Sequence, residues 1–415
     1  MRILTISNTY PPHHYGGYEL TCADVMQRFV DAGHDVLVLT STVRVAGAGD
    51  DAQAVEVRRA LSVAWDWDVN MPRRPRSPVT AWRHARHDLG VVTSAIREHR
   101  PDVVSVWHFG ALTLPLLVAA EDAGLPMVVT VANDWLLHAE ELDAWSRRWR
   151  FWGNRLRPTV AGVPTRLPQL TEAHFNFVSA YTRDRAAAST PFRVGDAPIV
   201  HPGIDTDDFP ITGSAAVPDQ WDWRLLYVGR VTPDKGVATA VLALQALPDR
   251  ATLDIVGDGE PAYVESLRRL AVDLHMTDRV RFDRCSRSEL AARYEAADAV
   301  IFPSEWPEPF GLVPIEAMAC GVPVVATGTG GSGEFLVDGD NCLRFPAGNA
   351  QALAARLQRL AGDSELRSRL LAGGRRTAAE LTADAYADTL LELHVTASRS
   401  RPARVGSPRR KEDRR

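Results

Sequence analysis

Two carboxylates, Glu308 and Glu316, stand eight positions apart, with Pro309-Phe310-Gly311-Leu312-Val313-Pro314-Ile315 between them. Carboxylates accept hydrogen bonds and repel anions, so the pair suits hydroxyl groups. Pro309 biases Glu308 away from the α region and keeps it in a loop. Gly311 lets the backbone come close to a ligand. Glu316, Ala317, Met318 and Ala319 are good helix formers, so the pattern predicts a helix over 315–320 that stops at Gly321. The free N–H groups at such a helix start favour an anion, typically a phosphate. A ligand with phosphate in its middle and hydroxyl-rich rings on both sides would suit this loop. A nucleotide-sugar is such a ligand.

A second constellation is Gly229-Arg230-Val231-Thr232-Pro233-Asp234-Lys235-Gly236, which follows an apolar strand pattern over 224–228. Arg230 and Lys235 lie five apart around a turn. Arg offers a fork of donors and Lys a point charge, and together they would neutralise a diphosphate. In glycosyl transfer the leaving nucleoside diphosphate gains charge as the bond breaks. Fixed cations aimed there lower the barrier and remove the need for a metal.

These motifs are also a family pattern. Glu-x7-Glu within EPFGLVPIEAMA, followed by Cys320-Gly321-Val322-Pro323-Val324, resembles the signature of retaining GT-B transferases of the glycosyltransferase family 4 type. G-R-x-x-x-x-K-G at 229–236, P-P-x-x-x-G-G-x-E at 11–19, G-H-x-V at 33–36 and the glycine turn at 330–339 resemble it too. The resemblance covers 1 to about 396. It implies an α/β fold of GT-B type, with two Rossmann-like domains facing a central cleft and a C-terminal helix crossing back to the first domain. The expected division is an acceptor-side domain over 1–199, with the crossover helix at about 383–396, and a nucleotide-sugar-binding domain over 200–382.

The resemblance also implies roles. Glu308 would hold sugar hydroxyls, and Phe310, Gly311 and Leu312 would offer the sugar backbone contacts. The N–H groups of Leu312 and Val313, with Arg230 and Lys235, would hold the diphosphate, and Glu316 the ribose hydroxyls. Gly229 and Gly257 belong to family-like turns, and the loop at Arg284 and Cys285 would meet the nucleobase. Gly16-Gly17 would present N–H groups to the diphosphate. A nucleotide-sugar is then the co-substrate, a UDP-sugar favoured and a GDP-sugar next, with no other cofactor and no metal. One position departs from the family. Many relatives carry a histidine in a T-x-H-D-like context after the strand at 126–131, where this chain has Thr130-Val131-Ala132-Asn133-Asp134. Asn133 can offer an amide to the sugar but cannot take a proton. In such enzymes the leaving phosphate is thought to act as the base, so catalysis can survive the change. Trp107, His108, Asp134 and His138 are the acceptor-side candidates, and His108 and His138 are also candidate substitutes for the missing histidine.

The scaffold pattern agrees. Strand, glycine turn, helix and strand over 1–40 make a βαβ unit. Strands are expected at 54–61, within 101–108 (followed by a ligand-side loop), 126–131, 175–179, 252–256, 280–285, 299–302 and 322–327. Helices are expected at 82–100, 111–124, 180–188, 350–360, 364–371 and 383–395. A Pro/Ser/Ala linker is expected before Asp219.

A chain of 415 residues suggests two domains. The four cysteines (Cys22, Cys285, Cys320, Cys342) lack metal-like spacing and read as reduced thiols of a cytoplasmic protein. Asp-x-Asp occurs at Asp66, Asp205 and Asp338. Three occurrences in one chain give the pattern no weight as a metal site. No apolar run approaches ~20 residues, so no membrane span is expected. The net charge is −5, yet the segment from Arg399 on holds seven Arg and one Lys against Glu412 and Asp413. Composition there predicts a disordered basic tail over 397–415. Trp145, Trp149, Trp152 and Leu156 fall on one helical face among arginines, which suits docking on the chain's own domain, peripheral contact with the inner membrane face, or contact with an anionic acceptor. No nucleic-acid partner is expected. The acceptor stays open among a small molecule, a lipid-linked sugar and a polysaccharide end, and the oligomeric state is not legible. Two alternative readings are a catalytically impaired nucleotide-sugar-binding homologue and a membrane-docked scaffold.

Overall fold

The computed structural model describes residues 1–45, 54–63, 65–66, 71–72, 77–110, 112–149, 159–211 and 221–400. The expected linker before Asp219, the basic tail, and Trp152 and Leu156 lie largely or wholly outside those residues. The chain divides into two compact units, one of 1–176, 189–197 and 390–415, the other of 177–188 and 198–389.

The first unit runs β1 (Arg2–Ile6), α1 (Gly17–Asp31), β2 (Asp35–Ser41), β3 (Glu56–Leu61), α2 (Pro78–His99), β4 (Val103–Val106), α3 (Pro115–Asp122), β5 (Met127–Val131), α4 (Trp135–Leu142) and β6 (His174–Phe177). Its sheet order is β6-β5-β4-β1-β2-β3, and the pairings from β5 to β3 are parallel. β4 and β5 are buried at every residue, as strands covered on both faces must be. The strand order reverses between β1 and β4. Open α/β sheets bind ligands outside the strand C-terminal ends at such a switch point.

Helix boundaries follow local chemistry. α2 starts where the Ser77 side chain accepts the Thr80 N–H, with Pro78 at its first position, and ends at Arg100 in the left-handed region. α3 begins at Pro115, later than the apolar pattern over 111–124 suggests, because Pro fits a first turn and not an interior. α4 answers to no clear pattern in the sequence.

The second unit begins with α5 (Ala180–Ser189) and continues with β7 (Arg224–Val228), α6 (Val237–Ala243), β8 (Thr252–Val256), α7 (Pro261–Asp273), β9 (Val280–Asp283), α8 (Arg287–Glu295), β10 (Ala299–Phe302), α9 (Val313–Ala319), β11 (Val324–Ala326), β12 (Leu343–Arg344), α10 (Ala350–Gly362) and α11 (Ser364–Glu380). The all-parallel sheet has the order β9-β8-β7-β10-β11-β12, with its switch point between β7 and β10. Its core joins Leu225, Leu253, Ile255, Ile301 and Val325 of the strands to Val237, Leu267, Leu353 and Leu357 of the helices.

The last helix, α12 (Ala383–Arg399), starts in the second unit and ends in the first. Near its end His394 is fully buried, with Nδ1 2.7 Å from the Leu390 carbonyl and Nε2 2.9 Å from Ser105 Oγ. Burial pushes its pKa down to about 4, against a smaller upward pull from the Leu390 hydrogen bond. The folded state therefore keeps this ring neutral, while the unfolded chain protonates it below about 6.5. Stability should be unaffected above that pH and fall as pH drops toward 4, by about 2 kcal/mol at pH 5. Urea unfolding at pH 7.5 and pH 5 checks this: His394→Gln should lose less stability between the two than the wild type.

Candidate active site

The loops after β7 and β10 meet at the switch point of the second unit. β7 ends at Gly229-Arg230, where Tyr227 OH donates to the Arg230 carbonyl at 2.6 Å and Val231 N–H to the Asp258 carbonyl at 2.7 Å. A single 3-10 turn, Pro233–Lys235, then leads to Gly236. Gly236 has φ +66°, and a Cβ there would lie 2.0 Å from the Pro303 carbonyl oxygen. Only glycine permits this approach. The approach brings the β10 loop onto the turn, and the Glu305 and Trp306 N–H groups both donate to the Asp234 carbonyl at 2.9 Å.

The consequence is a direct pair. Lys235 Nζ lies 2.5 Å from Glu308 Oε1, and Ser304 Oγ donates to the same oxygen at 2.7 Å. Both side chains are mostly buried, Lys235 at 16% and Glu308 at 8% exposure. The Glu308 carbonyl accepts the Gly331 N–H at 2.7 Å, which ties the loop to the glycine turn after β11. Arg230 is exposed at the same edge.

Glu308 is followed by Phe310, buried between His201, stacked at 5.1 Å, and Phe335 at 4.9 Å. The Phe310 ring is thus committed to packing, which leaves its backbone for contacts. Gly311 has φ +96°, and α9 opens at Val313 with Pro314 in its first turn. The first N–H groups of such a helix have no intrahelical acceptor. Glu316 is buried, and Tyr294 OH donates to its Oε2 at 2.7 Å. Burial, the largest influence, pushes the Glu316 pKa up against the Tyr294 hydrogen bond and the Arg287 charge. A neutral group is therefore tolerated there by the fold. Glu316→Gln should leave the thermal midpoint unchanged and raise the donor KM about tenfold or more, through loss of a charged hydrogen-bond acceptor. An unchanged KM would remove Glu316 from the site.

The remaining donor-side candidates sit at neighbouring strand ends. Gly257 N–H donates to the Asp283 carbonyl at 3.0 Å. Arg284 is exposed and pairs with Asp258, and Cys285 is half-buried with its thiol pushed up by burial. Asp205 and Asp338 serve backbone N–H groups, of Asp207 at 2.9 Å and Arg344 at 2.7 Å.

In the first unit Gly16 is the N-cap of α1, with extended backbone. Trp107 is completely buried, its Nε1 donating to Ser105 Oγ at 2.9 Å, so it is a core residue and not a surface for an acceptor. The Asn133 side-chain oxygen accepts the Trp135 N–H at 3.1 Å at the start of α4. Asp134 is the N-cap residue of that helix, and His138 is exposed and 3.9 Å from Glu141. His108 faces a buried carboxylate, Glu19, with Nδ1 3.1 Å from Oε1. Trp145 is buried with Ala85 and Val163 and donates to the Pro164 carbonyl at 2.6 Å, so this tryptophan docks on its own unit.

The motif reading gave no role to Ser304, Tyr294 or Glu19. The capping box at Ser286 and Glu289 is the signal that marks α8 and hence Tyr294. Glu19 closes the P-P-x-x-x-G-G-x-E motif, which marks the residue without giving it a role, and Ser304 carries no signal beyond its place ahead of Glu308.

Two parallel α/β units, each with its motif loops at the switch point, define a GT-B transferase scaffold. The family model for Glycosyltransferase Family 4 matches residues 15–208, and that for Glycosyl transferases group 1 matches residues 216–377. A GDP-mannose-dependent alpha-(1-6)-phosphatidylinositol monomannoside mannosyltransferase of Mycobacterium tuberculosis is 31% identical over 354 residues, 81% of this chain and 82% of the relative. A D-inositol 3-phosphate glycosyltransferase of Xylanimonas cellulosilytica is 36% identical over 50% of this chain, spanning about half (52%) of that relative. Anabaena HepE in complex with UDP superposes with a TM-score of 0.71 at 20% identity, over 95% of this chain and all of that one. The chain belongs to the family 4 glycosyltransferases.

Proposed function

We propose that this protein transfers a sugar from a nucleoside-diphosphate donor to an acceptor hydroxyl with retention of anomeric configuration and without a metal. The Lys235–Glu308 pair carries the reading, because it sets a cation and a hydroxyl-binding carboxylate side by side at the switch point. Lys235 and Arg230 receive the diphosphate and its growing charge, with the N–H groups of Leu312 and Val313. Glu308 holds sugar hydroxyls, Gly311 admits the sugar to the backbone, and Glu316 holds the ribose. Two fixed cations at the leaving group supply the charge that a metal would otherwise supply, and the leaving phosphate takes the acceptor proton.

A UDP-sugar is the favoured donor and a GDP-sugar the next. HepE is described with UDP and with UDP-glucose, and the mycobacterial relative is named for GDP-mannose. Inositol phosphates and lipid-linked inositides, the acceptors in the relatives' names, are the first acceptor classes to try.

Retention is tested by following the proton NMR spectrum of early donor hydrolysis. The α-linked donor UDP-glucose should first release α-glucose. Initial release of β-glucose would contradict the mechanism.

A further inference from the structure

The first unit holds a buried carboxylate that the donor site does not use. Glu19 is 3% exposed. Among the described residues its side-chain partners are Thr9 Oγ1 at 3.2 Å and His108 Nδ1 at 3.1 Å, with no Lys or Arg. A buried carboxylate held against a histidine at a strand end is a candidate functional group. The pair sits at the switch point of the sheet, with Glu19 in the first turn after the β1 loop and His108 in the loop after β4.

The geometry around the ring is specific. Tyr18 lies across it at 5.3 Å and is itself anchored by a hydrogen bond to the Thr130 carbonyl. Asn8 Nδ2 donates to the Gly110 carbonyl at 3.1 Å and fixes that residue over the ring. A Cβ at Gly110 would stand 3.2 Å from His108 Nε2, so glycine there leaves the nitrogen open. Among the described residues Nε2 has no hydrogen-bond partner, and the side chain keeps 15% exposure. Burial raises the Glu19 pKa, but the His108 and Thr9 contacts outweigh it and hold the carboxyl below its usual range. An ionised carboxylate only accepts, so Nδ1 carries the proton, and in the neutral ring Nε2 is a bare acceptor.

We propose that Glu19 is a positioning residue that fixes His108 with Nδ1 protonated, so that Nε2 accepts a hydrogen bond from a non-reacting hydroxyl of the acceptor substrate. The assignment to acceptor and not donor rests on the function proposed above, in which the second unit holds the donor's sugar, diphosphate and ribose and only Gly16, Gly17 and Asn133 of the first unit are further donor candidates. No proton leaves the hydroxyl to His108. The ring holds the acceptor through that neighbouring hydroxyl, and the reacting hydroxyl gives its proton to the leaving phosphate.

The test uses the full chain and two readouts. Side-chain nitrogen NMR at pH 8, with His108→Asn to assign the signal, should show His108 protonated on Nδ1 and bare on Nε2. Glu19→Gln should give a mixture of tautomers with an unchanged thermal midpoint. The second readout is the ratio of transfer to glycerol over hydrolysis, with UDP-glucose and GDP-mannose as donors. Glu19→Gln, His108→Asn and Gly110→Ala should each lower that ratio about tenfold, while UDP-induced thermal stabilisation stays at the wild-type value. Gly110→Ala should do so with the tautomer intact. A wild-type ring protonated on Nε2 alone overturns the role of Glu19. The expected tautomer with an unchanged ratio in all three variants overturns the role of His108. Absence of any turnover by the wild type removes the function on which the hydroxyl role rests, while the tautomer still decides the part played by Glu19.

Discussion

Lys235→Ala should lower kcat by about two to three orders of magnitude, the usual loss when one preorganised charge is withdrawn from a developing anion. The ammonium sits 2.5 Å from Glu308, so the substitution also leaves a mostly buried carboxylate without its cation. Two effects are then mixed in one variant, and a double-mutant cycle separates them. Glu308→Gln in the Lys235→Ala background should restore thermal stability, because the unpaired charge is gone. It should not restore turnover, because the leaving group still lacks its cation. Among the described residues Arg230 makes no such pair, and it is exposed, so Arg230→Ala should lower kcat with little change in stability. A wild-type rate in both cation variants would end the leaving-group role.

Gly236→Ala should be among the most damaging single-methyl additions in the chain. Its φ of +66° belongs to the left-handed region, and the new Cβ would stand 2.0 Å from the Pro303 carbonyl oxygen. The conformational cost alone is about 1–2 kcal/mol. The clash is with backbone, so relief requires the turn at Lys235 and the loop at Pro303 to part. That movement breaks the hydrogen bonds of Glu305 and Trp306 to the Asp234 carbonyl and separates Lys235 from Glu308. The expected result is a thermal midpoint lowered by several degrees, together with loss of UDP-induced stabilisation. A variant with wild-type nucleotide binding would show that the two loops need not touch.

The sequence was most readable where backbone chemistry leaves a residue-specific trace. Gly229 and Gly257 have positive φ where strand ends turn sharply, Gly236 where the 3-10 turn meets α6, and Gly311 where the loop enters α9. All four stand out as glycines in fixed motifs. The continuous apolar strands were legible because parallel sheets are buried on both faces. Other features depend on tertiary placement alone. α11 runs on through Gly373 and Gly374 to Glu380, where helix propensity predicts an end near 371, because the glycines pack against the turn at Asp340 and against Met318. Trp107 reads as a ligand-side aromatic after a strand, yet its ring turns into the core onto Ser105. Asn133 reads as a substitute for a histidine, and its side chain is engaged by the start of α4, a helix that no periodicity announces. The partnership of Glu19 with His108 joins positions 89 residues apart, a distance that no local pattern bridges.

The most direct measurement is a donor screen without acceptor. The purified protein would be incubated with UDP-, GDP-, ADP- and dTDP-sugars, following thermal stabilisation and nucleotide release. Stabilisation by one donor class together with slow nucleotide release, both abolished in Lys235→Ala, is the predicted result. Stabilisation without release, persisting after candidate acceptors are added, would contradict it and make the chain a nucleotide-sugar-binding protein without transfer.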